Sequence, residues 1–329
     1  MLPIIAITMG DPAGIGPELV LKVLSDRAYS THCTPFIIGD PEVFQEMNHQ
    51  LRTDIKINVI TSLSEAKYDP LKPDLLRPDN LDLPQVTWGE LNPVYGKAAA
   101  VCLQEAWKLA GQGKIHGIVS APMNKQAFHD AGYNYLDELA YFAEITGCQD
   151  AFFMGVMGKV WTVAVAEHVA FADILPLIKK DRILWYISHM HDVLYRILGI
   201  EPRLAVAGLN PHSGEGGLLG KEEILEIQPA IKEAWELGFN VNGPVPADIV
   251  FPQALSGAFD GVVCMYHDHA NTARKLQPTH NSATLYMGLP VIGATTAHGT
   301  AFDIAGKGTA DPGSMSAAMA YAIKLSGST

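Results

Sequence analysis

The sequence is short of positive charge and has no long apolar run. Lys and Arg together number 23 against 35 Asp and Glu, which gives a formal net charge of -12 at pH 7. Because such an acidic chain repels phosphate backbones and anionic membrane surfaces, we expect no nucleic acid partner. No uninterrupted apolar run approaches the roughly 20 residues that a membrane-spanning helix needs, so we expect no membrane association either.

Cysteine is scarce as well. The four cysteines, Cys33, Cys102, Cys148 and Cys264, are widely separated, form no CxxC pair and mostly stand in apolar stretches. This pattern predicts reduced, buried thiols rather than disulfides, and it fits a reducing compartment. The opening residues, MLPIIAITMGDP, lack a basic leader and a long apolar core, so they indicate a first strand rather than a signal peptide. We therefore expect a cytoplasmic protein.

Apolar residues make up 48% of the 329 residues, enough for a large core and about two domains. Short apolar runs alternate with amphipathic segments: the run 4–8 precedes a helix over 17–24, and a helix over 96–109 precedes the run 117–120. This order predicts buried parallel strands with crossover helices, and hence an α/β protein. The Pro- and Asp-rich stretch 66–86 has no periodicity and predicts a surface connection.

Two glycine-rich stretches stand near the ends of the chain. GDPAGIGPE (10–18) lies where a strand gives way to a helix, so its backbone N–H groups could face an anion, but a tight turn with Pro17 at the first helical position explains it equally well. HGTAFDIAGKGTADP (298–312) could wrap a flat heterocycle, because glycines allow close backbone approach, or could form a long surface turn. Neither stretch contains the GxGxxG fingerprint of a Rossmann fold.

Three histidines stand at predicted strand ends or in the following loops: His168 in AEHVAF, His212 in NPHSGEGG and His267 in MYHDH. Open α/β sheets place ligands at such ends, so residues distant in sequence can converge there. Three neutral imidazoles would hold a divalent ion and leave positions open for a substrate. Each histidine taken alone is more typical of an ordinary loop or core position than of a metal ligand.

Both glycine-rich stretches resemble segments of the isopropylmalate and isocitrate dehydrogenases. The run 298–312 resembles their adenosine-binding loop, and 10–18 resembles their GDGIGPE motif with a two-residue insertion. The resemblance implies an α/β/α fold of two lobes, with the active site in the cleft and at a dimer interface. It implies an outer lobe of residues 1–125 and 270–329 with the cofactor loop, and a central lobe of 126–269 with the metal ligands and dimer contacts.

The same resemblance implies an NAD site that is built without the Rossmann fingerprint. The residues implied to bind the cofactor are Gly14, His298, Gly299, Thr300, Ala301, Asp303 and Ile304. The pair Asp303 and Ile304 is similar to that of the NAD-using members, whereas the NADP-using members carry Lys and Tyr there. We therefore expect NAD as the cofactor.

Four further segments stand out along the chain: SAPMNK (120–125), NPHSGEGGLLGKEE (210–223), YHDH (266–269) and GLPVIGATTAHGTAFDIAG (288–306). In this order they resemble the motifs of the PdxA family of 4-hydroxythreonine-4-phosphate dehydrogenases, and the resemblance covers essentially the whole chain. It implies a homodimer that oxidises a secondary alcohol of a small molecule with NAD, with or without decarboxylation. It also implies that His168, His212 and His267 bind a divalent metal across the dimer interface. Three imidazoles favour zinc, while magnesium, manganese, cobalt and nickel stay open.

The chain departs from the family at the phosphate-binding positions. The family's Gly-His-Thr-Glu segment is replaced by Asp-Glu-Leu-Ala at 137–140, and its phosphate-contacting Asn and Arg by Thr284 and Gly293, while Lys275 still matches. An acidic pair would repel a phosphate dianion. The substrate therefore stays open between the family's phosphorylated compound and an unphosphorylated diol or hydroxy acid.

An unphosphorylated substrate is also implied by a likeness to the terephthalate dihydrodiol dehydrogenases, which lack the same features and share the WGE-x-x-P-x-x-G pattern found at 88–96. A non-catalytic relative that binds metal and ligand is a further alternative. The candidate substrate contacts are Lys275, Glu138, Thr284 and Arg274. Arg274 either replaces a lost anion contact or lies on the surface.

The implied chemistry is hydride transfer from an alcohol that a metal chelates. The metal lowers the alcohol pKa, so that the alkoxide can expel a hydride to NAD. The proton needs an acceptor, and Asp268, Lys125 and Asp248 are the candidates. Asp268 could equally orient the neighbouring His267.

Overall fold

The computed structural model describes residues 2–278 and 282–327. The chain divides into two compact units, unit 1 (Met1–Phe152 and Ala283–Thr329) and unit 2 (Phe153–Ser282). The lobes that the resemblance implies, 1–125 with 270–329 and 126–269, stay an expectation. The helices between 125 and 146 belong to unit 1 because they pack on the long helix that precedes strand Gly117–Ser120.

The strands of the described chain are short, mostly apolar and largely buried, as expected where a parallel sheet is covered on both faces. They are β1 (Ile4–Thr8), β2 (Thr34–Ile38), β3 (Asn58–Ile60), β4 (Asp74–Leu76), β5 (Gly117–Ser120), β6 (Phe152–Met157), β7 (Val160–Ala166), β8 (Leu204–Ala207), β9 (Val241–Val245), β10 (Gly261–Tyr266), β11 (Ser282–Met287) and β12 (Ile292–Thr296).

The helices alternate with the strands, which confirms the predicted α/β class. A π-helical turn, Glu223–Ile227, leads directly into the α-helix Gln228–Glu236. None of the helices in the described ranges is long and apolar enough to cross a membrane. The α-helices are α1 (Gly16–Ser25), α2 (Pro41–Leu51), α3 (Pro93–Gly111), α4 (Lys125–Asp130), α5 (Glu138–Thr146), α6 (Lys180–Leu198), α7 (Gln228–Glu236), α8 (Ala247–Leu255), α9 (His267–Lys275) and α10 (Gly313–Ser326).

Unit 1 carries the strand order β3-β4-β2-β1-β5-β12-β11. All neighbours are parallel except β11, which runs antiparallel to β12. Because β1, β5 and β12 are adjacent and parallel, the loops that follow them leave the same edge of the sheet. Both glycine-rich stretches begin at this edge, where open α/β sheets bind ligands.

The stretch 66–86 is only in part the surface connection that its composition predicted, because most of its residues are exposed or half-buried but three form a buried strand. In that strand, β4, Asp74 is 1% exposed. Its carboxylate accepts hydrogen bonds from the Asn58 side chain at 2.6 Å and from the backbone N–H groups of Lys67 and Tyr68. The prediction missed this strand because three residues between prolines are too few to show periodicity.

Unit 2 carries the strand order β6-β7-β10-β8-β9, with β6 antiparallel to β7 and the other neighbours parallel. Helix α6 packs on β7 and β10, and α8 packs on β8 and β10. The adjacent parallel strands β7 and β10 pair Ala166 with Tyr266 at their carboxyl ends. The residues immediately after these two strands are therefore neighbours in space.

Candidate metal, cofactor and substrate sites

Two of the three predicted metal ligands meet at the ends of β7 and β10. His168 stands two residues after β7, and His267 opens α9 directly after β10, so their rings lie 5.4 Å apart between centroids. Glu167 joins them: one ligand atom from each of Glu167, His168 and His267 lies within 4.8 Å of the others, and all three residues are half-buried. Two imidazole nitrogens and a carboxylate oxygen are a donor set that fits a divalent ion.

Neighbouring side chains orient both imidazoles. The Asp268 carboxylate lies 2.7 Å from Nδ1 of His267, which leaves Nε2 of that ring for an ion. The ring of Phe153 meets that of His168 edge-on, with centroids 5.5 Å apart. Of the two roles considered for Asp268, this geometry matches the orienting one.

His212 does not belong to this cluster among the residues that the structure describes. It lies on the loop Pro211–Gly217, where its side chain is 69% exposed and its Nδ1 is 2.9 Å from the Glu215 carboxylate. Five successive residues of this loop, from 212 to 216, have positive φ. The buried Glu223 carboxylate anchors the loop, since it accepts the backbone N–H groups of Leu209 and Asn210.

The remaining predicted residues of unit 2 differ in burial. Arg274 is half-buried rather than on the surface, with its guanidinium packed close to Gly155 of β6. Burial lowers the pKa of Arg274, and the negative charge of Glu167 opposes this. Lys275, at the end of α9, and Asp248, in the first turn of α8, are both exposed.

The two glycine-rich stretches pack directly on each other in unit 1. The N–H of Ile15 donates to the Thr300 carbonyl at 3.0 Å, and a Cβ at Gly14 would lie 2.9 Å from Cβ of Thr300. Only glycine therefore allows this approach. Sequence spacing could not show that residues so far apart touch.

The loop that begins at His298 has the open surface that a dinucleotide needs. A Cβ at Gly299 would meet no atom within 4 Å, and the Asp303 side chain is exposed, so its carboxylate can accept hydrogen bonds from ribose hydroxyls. Ala301 adopts a positive φ of 42°, which turns the chain between these two residues. His298 and Ile304 are half-buried. The residues present fit the predicted cofactor.

A second polar cluster of unit 1 joins α5 to β11. Asp137 caps α5 by accepting the N–H of Ala140 at 2.8 Å, so it serves the helix, whereas the Glu138 carboxylate accepts the hydroxyl proton of the buried Tyr286. Burial raises the pKa of Glu138, while the Tyr286 hydrogen bond and the charge of Lys125 act against this.

Thr284 stands two residues before Tyr286 on β11, and therefore on the same face of the strand. Lys125 is exposed at the start of α4, and its charge acts on the Glu138 carboxylate. Tyr286 was missed by sequence reasoning, although its position two residues from Thr284 signals a shared face. Glu167 was missed as well, although it adjoins His168 at a strand end.

Comparison with known proteins reveals close relatives along the whole chain. The family model described as pyridoxal phosphate biosynthetic protein PdxA matches residues 31–322. A Halalkalibacterium halodurans protein, provisionally named D-threonate 4-phosphate dehydrogenase, is 37% identical over 98% of this chain and 96% of its own length. A crystal structure described as a 4-hydroxythreonine-4-phosphate dehydrogenase from Burkholderia phymatum is 37% identical, with a TM-score of 0.81 over 99% of this chain and 98% of that chain.

Two further crystal structures place the substrate alternatives side by side. The 4-hydroxythreonine-4-phosphate dehydrogenase from Klebsiella pneumoniae matches with a TM-score of 0.85 and 33% identity, over 99% of this chain and 98% of that chain. A terephthalate 1,2-cis-dihydrodiol dehydrogenase from Burkholderia xenovorans matches with a TM-score of 0.65 and 25% identity, over 98% of both chains. The likeness is thus stronger to the branch described by a phosphorylated substrate.

Proposed function

Since this chain belongs to the PdxA family and is a dehydrogenase acting on a CH–OH group, we propose that it oxidises the secondary alcohol of a small hydroxy acid with NAD. The observation that carries the proposal is the cluster of Glu167, His168 and His267 at the ends of two parallel strands. The relatives are described as acting on D-threonate 4-phosphate and 4-hydroxythreonine 4-phosphate, so a phosphorylated hydroxy acid of this kind is the first candidate substrate.

Different residues of the chain bind the metal ion and accept the proton in this proposal. His168 and His267 offer imidazole nitrogens, and Asp268 holds His267 through Nδ1. A divalent ion held there supplies polarisation of the alcohol, which lowers its pKa. We propose that Lys125 or Asp248 accepts the alcohol proton, because Asp268 is engaged with His267. The pH profiles of kcat/KM for Lys125→Met and Asp248→Asn would show which of the two does so.

The proposal is tested by removing the imidazoles one at a time. His168→Ala and His267→Ala should lose bound metal, measured by elemental analysis of the purified protein, and should lose NAD reduction with the candidate substrates. His49→Ala is the matched control, because His49 is exposed on α2. Full metal content and turnover in both site variants would contradict the proposal.

We infer NAD rather than NADP from the exposed carboxylate of Asp303, since a negative charge at the ribose repels a 2′-phosphate. The ratio of kcat/KM for NAD to that for NADP should favour NAD in the parent protein. It should fall in Asp303→Asn, because that change removes the repulsion and keeps the shape. An unchanged ratio would place Asp303 outside the cofactor site.

We infer that the working form is a homodimer in the cytoplasm. The homodimer accounts for the separation of His212 from the other two predicted ligands within one chain, because a partner's His212 could complete the cluster. Mixing inactive His168→Ala and His212→Ala subunits should restore about one quarter of the parent activity, since half of the random dimers then hold one intact site. No recovery after subunit exchange would exclude a shared site. The four free thiols support a reducing compartment.

A second candidate function is oxidation of an unphosphorylated diol or hydroxy acid. The observation that favours it is the Glu138 carboxylate, hydrogen-bonded to Tyr286 where the family resemblance places phosphate contacts. Initial rates with 4-hydroxythreonine 4-phosphate and D-threonate 4-phosphate should be compared with those of the unphosphorylated acids. Glu138→Gln removes the charge and should lower the KM of a phosphorylated substrate only; an equal effect on both sets would reject the charge argument.

A further inference from the structure

We propose that Glu167 is a ligand of the divalent ion, so that each chain contributes a carboxylate oxygen beside two imidazoles; this rests on the proposed metal-dependent function. Bonds of about 2.0–2.2 Å to one ion leave its ligand atoms at most about 4.4 Å apart. The ligand atoms of Glu167, His168 and His267 already lie within 4.8 Å of one another. Small side-chain rotations would bring all three onto one ion.

The backbone explains how two successive residues reach the same ion. In a strand, neighbouring side chains point to opposite faces, so Glu167 and His168 could not both face one point if β7 continued. The strand ends at Ala166, and the N–H of Val169 donates to the Glu167 carbonyl at 2.7 Å. This i to i+2 bond closes a three-residue turn centred on His168, which brings both side chains toward His267.

The Glu167 carboxylate is a half-buried negative charge that acts on its neighbours. After burial itself, it contributes to raising the pKa of the buried Cys264 thiol, and the same charge acts on the half-buried Arg274. A divalent ion beside this carboxylate would add to its stabilisation, since buried carboxylates are stabilised by positive partners.

A carboxylate adds a hard oxygen donor to the imidazole nitrogens. Sites of two imidazoles and one carboxylate hold catalytic zinc as well as Fe(II), so this donor set is compatible with more than one divalent ion. Glu167 would join His168 and His267 of the same chain, whether or not a partner's His212 completes the cluster. The proposal therefore concerns the ligand role of the carboxylate, and Mn²⁺ and Co²⁺ serve as spectroscopic probes of it.

The test measures metal binding directly, without turnover. Metal-free full-length protein is titrated with Mn²⁺ by electron paramagnetic resonance and with Co²⁺ by visible absorption. Glu167→Gln keeps the shape and should weaken Mn²⁺ binding by at least about tenfold and alter the Co²⁺ bands. Glu201→Gln is the matched control, because Glu201 also contacts an imidazole, that of His191, outside the cluster.

The outcomes separate this proposal from the proposed function. Unchanged Mn²⁺ affinity and Co²⁺ bands in Glu167→Gln, with binding lost in His168→Ala, would overturn the ligand role and leave the metal-dependent function intact. Unchanged binding in both variants would overturn both. Circular dichroism of each metal-free variant establishes that it is folded, and Glu167→Asp should restore part of the Mn²⁺ affinity if the carboxylate is the ligand.

Discussion

Replacing Glu18 would test how the first helix holds the cofactor loop. Its carboxylate is fully buried in α1 and accepts the N–H groups of Ala310 and Gly308, at 2.7 and 3.2 Å. The same carboxylate bonds the Lys22 ammonium at 2.8 Å, and that ammonium donates to the carbonyls of the same two loop residues. The pair thus ties α1 to the loop that carries the proposed cofactor residues.

The size of the effect follows from these contacts. Glu18→Ala leaves two backbone donors and an ammonium without their acceptor, and breaking a buried pair costs about 3–5 kcal/mol. Lys22 is 24% exposed and can regain water, so we expect the lower end, about 3 kcal/mol. In the double variant Glu18→Ala/Lys22→Ala, the cost should be less than the sum of the single costs by about 1–3 kcal/mol.

Urea unfolding followed by circular dichroism measures the stability, and titration of NADH fluorescence measures the cofactor affinity. We expect NADH to bind more weakly in Glu18→Ala while any change in kcat is smaller, because the loop and not the chemistry is disturbed. Asp54→Ala, which removes the exposed partner of Lys56, should change stability by less than about 0.5 kcal/mol. Parent-like stability and NADH affinity in Glu18→Ala would refute the reasoning.

Three other properties can be checked independently. Asp11 is fully buried, and burial raises its pKa to about 6. The folded state therefore binds this proton more tightly than the unfolded state, so the free energy of unfolding should fall by up to about 3 kcal/mol as pH rises from about 4 to about 6. Asp11→Asn should remove this decline in urea unfolding, and parallel pH profiles of the parent and the variant would contradict the prediction. Gly96→Ala should destabilise the protein by at least about 1–3 kcal/mol in the same assay, because the added Cβ would lie 2.2 Å from the Ala127 carbonyl. Gly111→Ala is the control: its Cβ would meet no atom within 4 Å, so the change should be neutral or stabilising. Equal effects of the two substitutions would reject the packing explanation. Of the four thiols, Cys148 alone should react readily with a disulfide reagent in the native protein, because the other three are buried. All four should react in denaturant. Rapid reaction of more than one thiol in the native protein would contradict the burial.

Local patterns predicted the parts of the fold that depend on local forces. The strands Ile4–Thr8 and Gly117–Ser120 were predicted from apolar runs, because burial on both faces of a parallel sheet requires such a run. The position of His168 after a strand was predicted for the same reason. The strand Asp74–Leu76 was missed, because its three residues show no period and only pairing with β2 and β3 makes them a strand.

By itself the sequence determined the α/β class, the family and the residue types available for chemistry, since these depend on composition, periodicity and motifs along the chain. Only the tertiary structure decided which of those residues meet. Glu167 joins His168 and His267 because β7 and β10 pair in register, and Tyr286 meets Glu138 because α5 lies near β11. Such contacts depend on the order of the strands in the sheet and on the turns that follow them. The spacing of residues along the sequence does not show either of these.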